Sequence, residues 1–150
     1  MTSKSAVEDF VAQRTLAVVG VSRSGTKFGN TIYRELKARG YRVLAIHPQA
    51  AQLEGDPAYP SLSALPESAG GVVVCVPPAQ AEQVVGEAAA AGIRHVWLQQ
   101  GAESEGAIEL GRRQGLNVIA GECIMMFAAP VRFPHSMHRW LWKVFGKLPR

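Results

Sequence analysis

Residues 15–31, reading Thr-Leu-Ala-Val-Val-Gly-Val-Ser-Arg-Ser-Gly-Thr-Lys-Phe-Gly-Asn-Thr, limit what this chain can fold into more than any other stretch. An apolar run ends at Gly20. A loop of small and basic residues follows, and helical character starts near Phe28 and continues to about Arg39. A strand, a glycine loop and a helix in that order carry the free N–H groups of a helix start to a strand end, where they favour an anion. Glycine lets the backbone approach a ligand closely. Arg23 and Lys27 add positive charge, so the expected ligand carries phosphate. The bland alternative is a tight turn with no ligand, because a single glycine motif has many accidental matches.

The remaining chain repeats the alternation. A first helix is expected from around Glu8. Strands are expected over residues 16–19, 41–46, 71–76, 95–99 and 116–120. Helices are expected over residues 28–39, 79–91 and 103–114, each closed by a glycine at the position past its end: Gly40, Gly92 and Gly115. Residues 49–70 hold Pro57, Pro60 and Pro66 and read as loop, with one short helical turn over 61–65. The run Gly71-Val-Val-Val-Cys-Val76 is continuously apolar, as in strands buried on both faces. This pattern predicts an α/β fold: a Rossmann-like open parallel sheet of five strands with helices on both faces. At 150 residues the chain suits one such domain.

Ligands sit at the C-terminal ends of the strands in such sheets. Here those ends are residues 20–29, His47-Pro48, Val76-Pro77-Pro78, Gln99-Gln100-Gly101 and Gly121-Glu122-Cys123-Ile124. A nicotinamide dinucleotide would usually meet an Asp or Glu near the end of the second strand. None is there, and the first acidic residue after that strand is Glu54. Ser22 also stands where the second glycine of G-x-G-x-x-G would be.

Charge is unevenly placed. The first 130 residues carry 11 basic and 12 acidic side chains, whereas residues 131–150 carry five basic and no acidic ones. The net charge of +4 thus comes from the tail, and the body offers no basic stripe for nucleic acid. In the tail, Met137, Trp140, Leu141, Val144 and Phe145 share one helical face, so residues 136–146 are expected to form an amphipathic helix. It would serve a homodimer contact or, less favoured, an anionic membrane surface or acidic partner. His135 and His138 have helical chelate spacing but no third ligand, so no metal site is expected. No signal peptide or membrane-length apolar run is visible, and two cysteines fit a reducing compartment, so a cytoplasmic protein is expected. Cys75 reads as a buried core thiol. Cys123, on the ligand edge, is the one that could meet a ligand thiol.

Taken in order, Gly20-Val21-Ser22, Pro48 after the second strand, Val76-Pro77-Pro78, Trp97-Leu98-Gln99-x-Gly101 and Cys123-Ile124-Met125 resemble the small bacterial CoA-binding proteins. These are stand-alone Rossmann-like domains similar to the CoA-binding domain of the succinyl-CoA synthetase α subunit. The resemblance covers roughly residues 10–126. It divides the chain into a CoA-binding domain over 1–126 and a basic extension over 127–150.

The resemblance implies that Gly20, Ser22, Arg23, Ser24, Gly25 and Lys27 hold the pyrophosphate of coenzyme A. It implies that Val76, Pro77 and Pro78 face the adenosine or pantetheine side, and that Gln99, Gln100 and Gly101 form a cofactor-contacting segment. His47 and Pro48 stand where the second strand ends. A missing carboxylate there suits the 3′-phosphate of CoA, which it would repel. No set of acid, base and nucleophile is visible, so the expected role is CoA or acyl-CoA binding, regulatory or carrier, without catalysis. Two other classes stay open. One is an NAD(P)-dependent oxidoreductase, in which Arg23 or Arg42 would reach a 2′-phosphate. The other is an interaction module with a relic nucleotide site.

Overall fold

The structure is a computed structural model, and it describes residues 3–128. In chain order the helices are α1 (Lys4–Val11), α2 (Phe28–Ala38), α3 (Pro78–Ala90) and α4 (Glu105–Arg113). The strands are β1 (Thr15–Val19), β2 (Arg42–Ile46), β3 (Gln52–Leu53), β4 (Asp56–Tyr59), β5 (Gly71–Val74), β6 (His95–Gln99) and β7 (Asn117–Glu122). Short 3-10 turns cover Leu62–Ala64 and Ile124–Met126.

One sheet of seven strands runs in the order β3-β4-β2-β1-β5-β6-β7. The five strands expected from sequence form its parallel centre. The expectation of five strands is corrected by two more at one edge. β4 pairs parallel to β2, and β3 pairs antiparallel to β4. Both lie inside the stretch read as loop. They close a hairpin on Glu54-Gly55, where both residues have positive φ (54° and 80°), as a two-residue hairpin turn of this hand requires.

Side chains alternate between two cores, as the period of a strand dictates. Leu16, Val18, Val73, Trp97 and Ile119 join Phe10, Ile32, Tyr33 and Leu36 from α1 and α2. Ala17, Val72, Val74, Val96 and Leu98 join Val84, Val85 and Ala107 from α3 and α4. Both faces of the central strands are therefore dry, which explains their unbroken apolar runs.

The helix starts follow their caps. Ser3 Oγ accepts from the Ala6 N–H, so α1 begins at Lys4 rather than near Glu8. Ser104 caps α4 in the same way through Ala107, which moves its start to Glu105.

The core continues to the last described residues. Phe127 and Ala128 are buried, and Phe127 tilts against Trp97 with ring centroids 5.9 Å apart. Arg39 Nη1 donates to the Met125 and Ala128 carbonyls at 2.8 and 2.6 Å. No described helix is long and apolar enough to cross a membrane. The expected helix over 136–146, with its dimer and membrane readings, lies outside the described residues.

Candidate functional site

β1 leads to β2 on one side, but the next central strand, β5, lies on β1's other side. The direction of strand addition reverses between β1 and β5. Their C-terminal ends therefore splay into a crevice, the usual ligand position in open α/β sheets. A cleft of about 480 Å³ lies there. Residues that follow β1, β2 and β5 line it, including Gly20, Ser22, Lys27, His47, Pro48, Val76 and Pro77. Seven of the residues singled out from sequence are thus brought together.

Gly20 and Gly29 make this geometry possible. A Cβ on Gly20, at φ 114°, would lie 2.4 Å from the Cys75 carbonyl oxygen. A Cβ on Gly29 would lie 2.2 Å from the Gly20 carbonyl oxygen. The first turn of α2, the loop and the end of β5 pack backbone to backbone, which only glycine permits. Lys27 is the N-cap of α2 and supplies no side-chain cap, and no acid occupies the first turn. The helix start therefore keeps free N–H groups and a positive partial charge beside an exposed lysine.

The loop is held by a residue that sequence reasoning passed over. Asn30 is fully buried. Its Nδ2 donates to Ser22 O (2.9 Å) and Glu54 Oε2 (2.7 Å), and its Oδ1 accepts from Ser22 N (3.0 Å) and Ser22 Oγ (2.9 Å). Ser22 Oγ meets Ser24 Oγ at 2.8 Å, and Ser24 Oγ meets Thr26 Oγ1 at 2.9 Å. Arg34 Nη1 donates to Glu54 Oε2 at 2.9 Å and to Gly25 O at 3.2 Å. The Asn30 hydrogen bond, followed by the Arg34 guanidinium, holds the Glu54 carboxyl below its usual range, against the opposing effect of desolvation. Arg23, Ser24 and Gly25 belong to the loop but do not line the cleft.

The α3 side supplies a wall that the sequence reading did not assign to the site. Gln80, Gln83, Val84 and Glu87 line the cleft from one face of α3, at the i, i+3, i+4, i+7 spacing of a helical stripe. Gln83 Nε2 donates to Glu87 Oε1 at 3.3 Å. The cleft thus has a cationic, N–H-rich end at Lys27, an apolar middle at Val76 and Pro77, and an amide-and-acid end on α3.

Pro78, Gln99, Gln100, Gly101 and Cys123 do not line the cleft. Pro78 is the first residue of α3. Gln99 is 2% exposed. Its Nε2 donates to Cys123 Sγ at 3.0 Å and its Oε1 accepts from the Ile124 N–H at 3.0 Å, so the side chain ties the end of β6 to the chain leaving β7. Gln100 is exposed, and Gly101 has φ 95° in the turn that follows. His47 Nδ1 accepts from the Gln49 and Ala50 N–H groups, both at 3.0 Å. This places the proton of the neutral ring on Nε2. Burial pushes the Cys75 thiol up to about 12. Cys75 follows β5 and borders the cleft, although the sequence placed it within the strand. Arg42 starts β2, at the opposite end of the strand from the cleft, and its Nε meets Glu67 Oε1 at 2.6 Å. It does not reach a phosphate in the cleft. Among the described residues no group of three or more His, Cys, Asp or Glu could hold a metal ion.

Comparison with known proteins agrees with this architecture. The family described as "CoA binding domain" matches residues 14–129. An ADP-forming acetate–CoA ligase I of Archaeoglobus fulgidus is 25% identical over 136 residues, which cover 84% of this chain and 20% of the relative. The chain therefore spans about a fifth of that protein's length. A conserved hypothetical protein from Pyrococcus furiosus is similar in structure, with TM-score 0.71 and 38% identity over 75% of this chain and 97% of that one. An acetyl-coenzyme A synthetase from Ca. Korarchaeum cryptofilum, solved with phosphate and ADP, has TM-score 0.63 and 28% identity, over 70% of this chain and 25% of that one.

Proposed function

The chain belongs to the CoA-binding domain family, and from that premise we propose that it holds coenzyme A or an acyl-CoA in the cleft between β1 and β5, as a carrier or regulatory protein without its own catalysis. The observation that carries the reading is the polarity of the cleft. Lys27 and the uncapped start of α2 suit a pyrophosphate. The Val76-Pro77 wall suits a pantetheine chain or the face of a base. The Gln80 and Gln83 amides can donate and accept, as pantetheine amides require.

A nicotinamide dinucleotide suits the cleft less well. His47-Pro48 stands where a ribose-binding carboxylate would be expected. The nearby acid, Glu54, is turned to Asn30 and Arg34. Arg42, a candidate for a 2′-phosphate, lies at the wrong end of its strand.

Calorimetry and thermal shift with CoA, acetyl-CoA, NAD and NADP test the reading. Ligand at about 100 times its Kd stabilises the folded state by roughly 2.7 kcal/mol. CoA or acetyl-CoA is expected to raise the melting temperature, and NAD to leave it nearly unchanged. Stronger stabilisation by NAD or NADP would transfer the site to the oxidoreductase class. No response to any of the four would favour an interaction module.

A further inference from the structure

We propose that Glu54 is a positioning residue of the glycine loop, acting through Asn30 to fix the direction of every hydroxyl proton in that loop. The loop then meets an anion with backbone N–H groups and Lys27 rather than with its serines and threonine. The proposal rests on the reading that the loop receives the phosphates of CoA.

The chemistry follows from donors and acceptors. A carboxylate only accepts, so Glu54 Oε2 requires the Nδ2 side of Asn30. The second Nδ2 hydrogen goes to the Ser22 carbonyl, which also only accepts. Reversing the amide would set Oδ1 against both oxygens. Oδ1 therefore faces Ser22 and accepts from its N–H and its hydroxyl, and all four hydrogen-bonding positions of this buried amide are filled.

The polarity then propagates outward. The single hydroxyl hydrogen of Ser22 is committed to Asn30. The 2.8 Å contact between Ser22 and Ser24 must be donated by Ser24, and the 2.9 Å contact between Ser24 and Thr26 by Thr26. The Thr26 N–H points the same way, onto Ser24 Oγ at 3.4 Å. Every hydroxyl proton is aimed inward at Asn30, and the outer end of the ladder shows lone pairs, which repel phosphate oxygens. Arg34 joins the same Glu54 oxygen to the Gly25 carbonyl, so one carboxylate governs both limbs of the loop.

Three variants of the full chain test this: Glu54→Ala, Glu54→Gln and Ser24→Ala. The readouts are amide hydrogen exchange at Ser22 by NMR, and CoA affinity by calorimetry. Glu54→Ala is expected to speed Ser22 exchange about tenfold or more while β5 and β6 amides keep their rates, a local opening without global unfolding. It should weaken CoA binding by about fivefold or more. Glu54→Gln keeps an acceptor for Asn30 and Arg34 but loses the charge, so both readouts should change by about threefold or less, short of the Glu54→Ala effect. Ser24→Ala should also bind CoA within about twofold, because its hydroxyl faces inward. Unchanged Ser22 exchange in Glu54→Ala would overturn the relay whatever CoA does. Faster exchange with unchanged CoA affinity would overturn its bearing on the ligand, and a tenfold loss in Ser24→Ala would show hydroxyls acting as donors. If wild type does not bind CoA, the functional reading falls, and Ser22 exchange alone decides for or against Glu54.

Discussion

Gly29 and Gly86 both sit inside helices, yet the same substitution should act on them in opposite directions. A Cβ on Gly29 would strike the Gly20 carbonyl, and backbone cannot swing aside. Gly29→Ala is expected to cost about 1–3 kcal/mol or more, the scale of overpacking, and to push the loop away from the cleft. At Gly86 the nearest atom to an added Cβ is Leu110 Cδ2, at 3.7 Å. Gly86→Ala should gain up to about 1 kcal/mol of helix propensity. Urea unfolding of both variants checks the pair. Charge at the loop divides in the same way. Lys27 lines the cleft and Arg23 does not. Lys27→Ala should therefore weaken CoA by about 1.5–3 kcal/mol, the range for hydrogen bonds to charged groups, and Arg23→Ala by clearly less. Equal losses by calorimetry would place Arg23 in the site as well.

At the scale of elements, the β3–β4 hairpin is fastened to α2 by two polar clusters. Glu54 meets Asn30 and Arg34. Asp56 Oδ2 accepts from the Tyr33 hydroxyl at 2.7 Å and from Lys37 Nζ at 2.6 Å. Burial, then the Asp56 hydrogen bond, raises the Tyr33 hydroxyl well above its ordinary range, so it stays a donor. The Lys37 and Tyr33 hydrogen bonds lower the Asp56 carboxyl, as the Asn30 and Arg34 bonds lower Glu54. Both carboxyls are more acidic folded than unfolded. Their contribution is complete above the unfolded values, near 3.8 and 4.5, and is lost as pH falls through the lower folded values. Melting temperature should therefore drop in acid, and a Glu54→Gln/Asp56→Asn double variant should show a shallower drop. Parallel curves would mean that other groups dominate acid unfolding. The clamp at Arg39 is a second fastening. Arg39→Ala removes two charge-assisted bonds to residues 125 and 128, worth about 1.5–3 kcal/mol each when buried. Limited proteolysis should then cut residues 123–128 sooner than in wild type.

The hairpin also marks where the sequence was hard to read. β1, β2, β5 and β6 were legible because their central residues are buried on both faces and stay apolar without interruption, and β7, at the sheet edge, was legible from its short apolar stretch Val118-Ile119-Ala120. β3 has two residues and β4 has four, one of them Pro57. Neither is long enough to show a period. Pro57 argued for loop, although it lies short of the Ala58–Tyr59 stretch that pairs with β2, where a missing N–H is tolerated. The one available signal was Gly55, a turn glycine between two short polar-apolar pairs. At the site, the glycine loop was legible from composition alone. Asn30 was not, because a polar residue early in a helix ordinarily faces water, and only the fold brings Glu54 from 24 residues away to meet it. The α3 stripe of Gln80, Gln83, Val84 and Glu87 had helical spacing in the sequence, but its polarity did not mark it as part of a site.

For the molecule as a whole, the cleft belongs to no single segment. Its walls come from residues 19–27, 46–48, 60 and 75–87, joined only when β1 has paired with β2 on one side and β5 on the other. An unfinished chain has the glycine loop but not the opposite wall. The consequence is one of timing. If the site closes late, after the folding transition state, a bound nucleotide has nothing to hold on the way in and everything to hold on the way out. Ligand should then leave the refolding rate near its unliganded value and slow unfolding, as stabilising interactions absent from the transition state do. In stopped-flow experiments the unfolding arm should move with CoA concentration while the folding arm stays in place, so that the coenzyme acts as a brake on the loss of structure and not as a template for its formation.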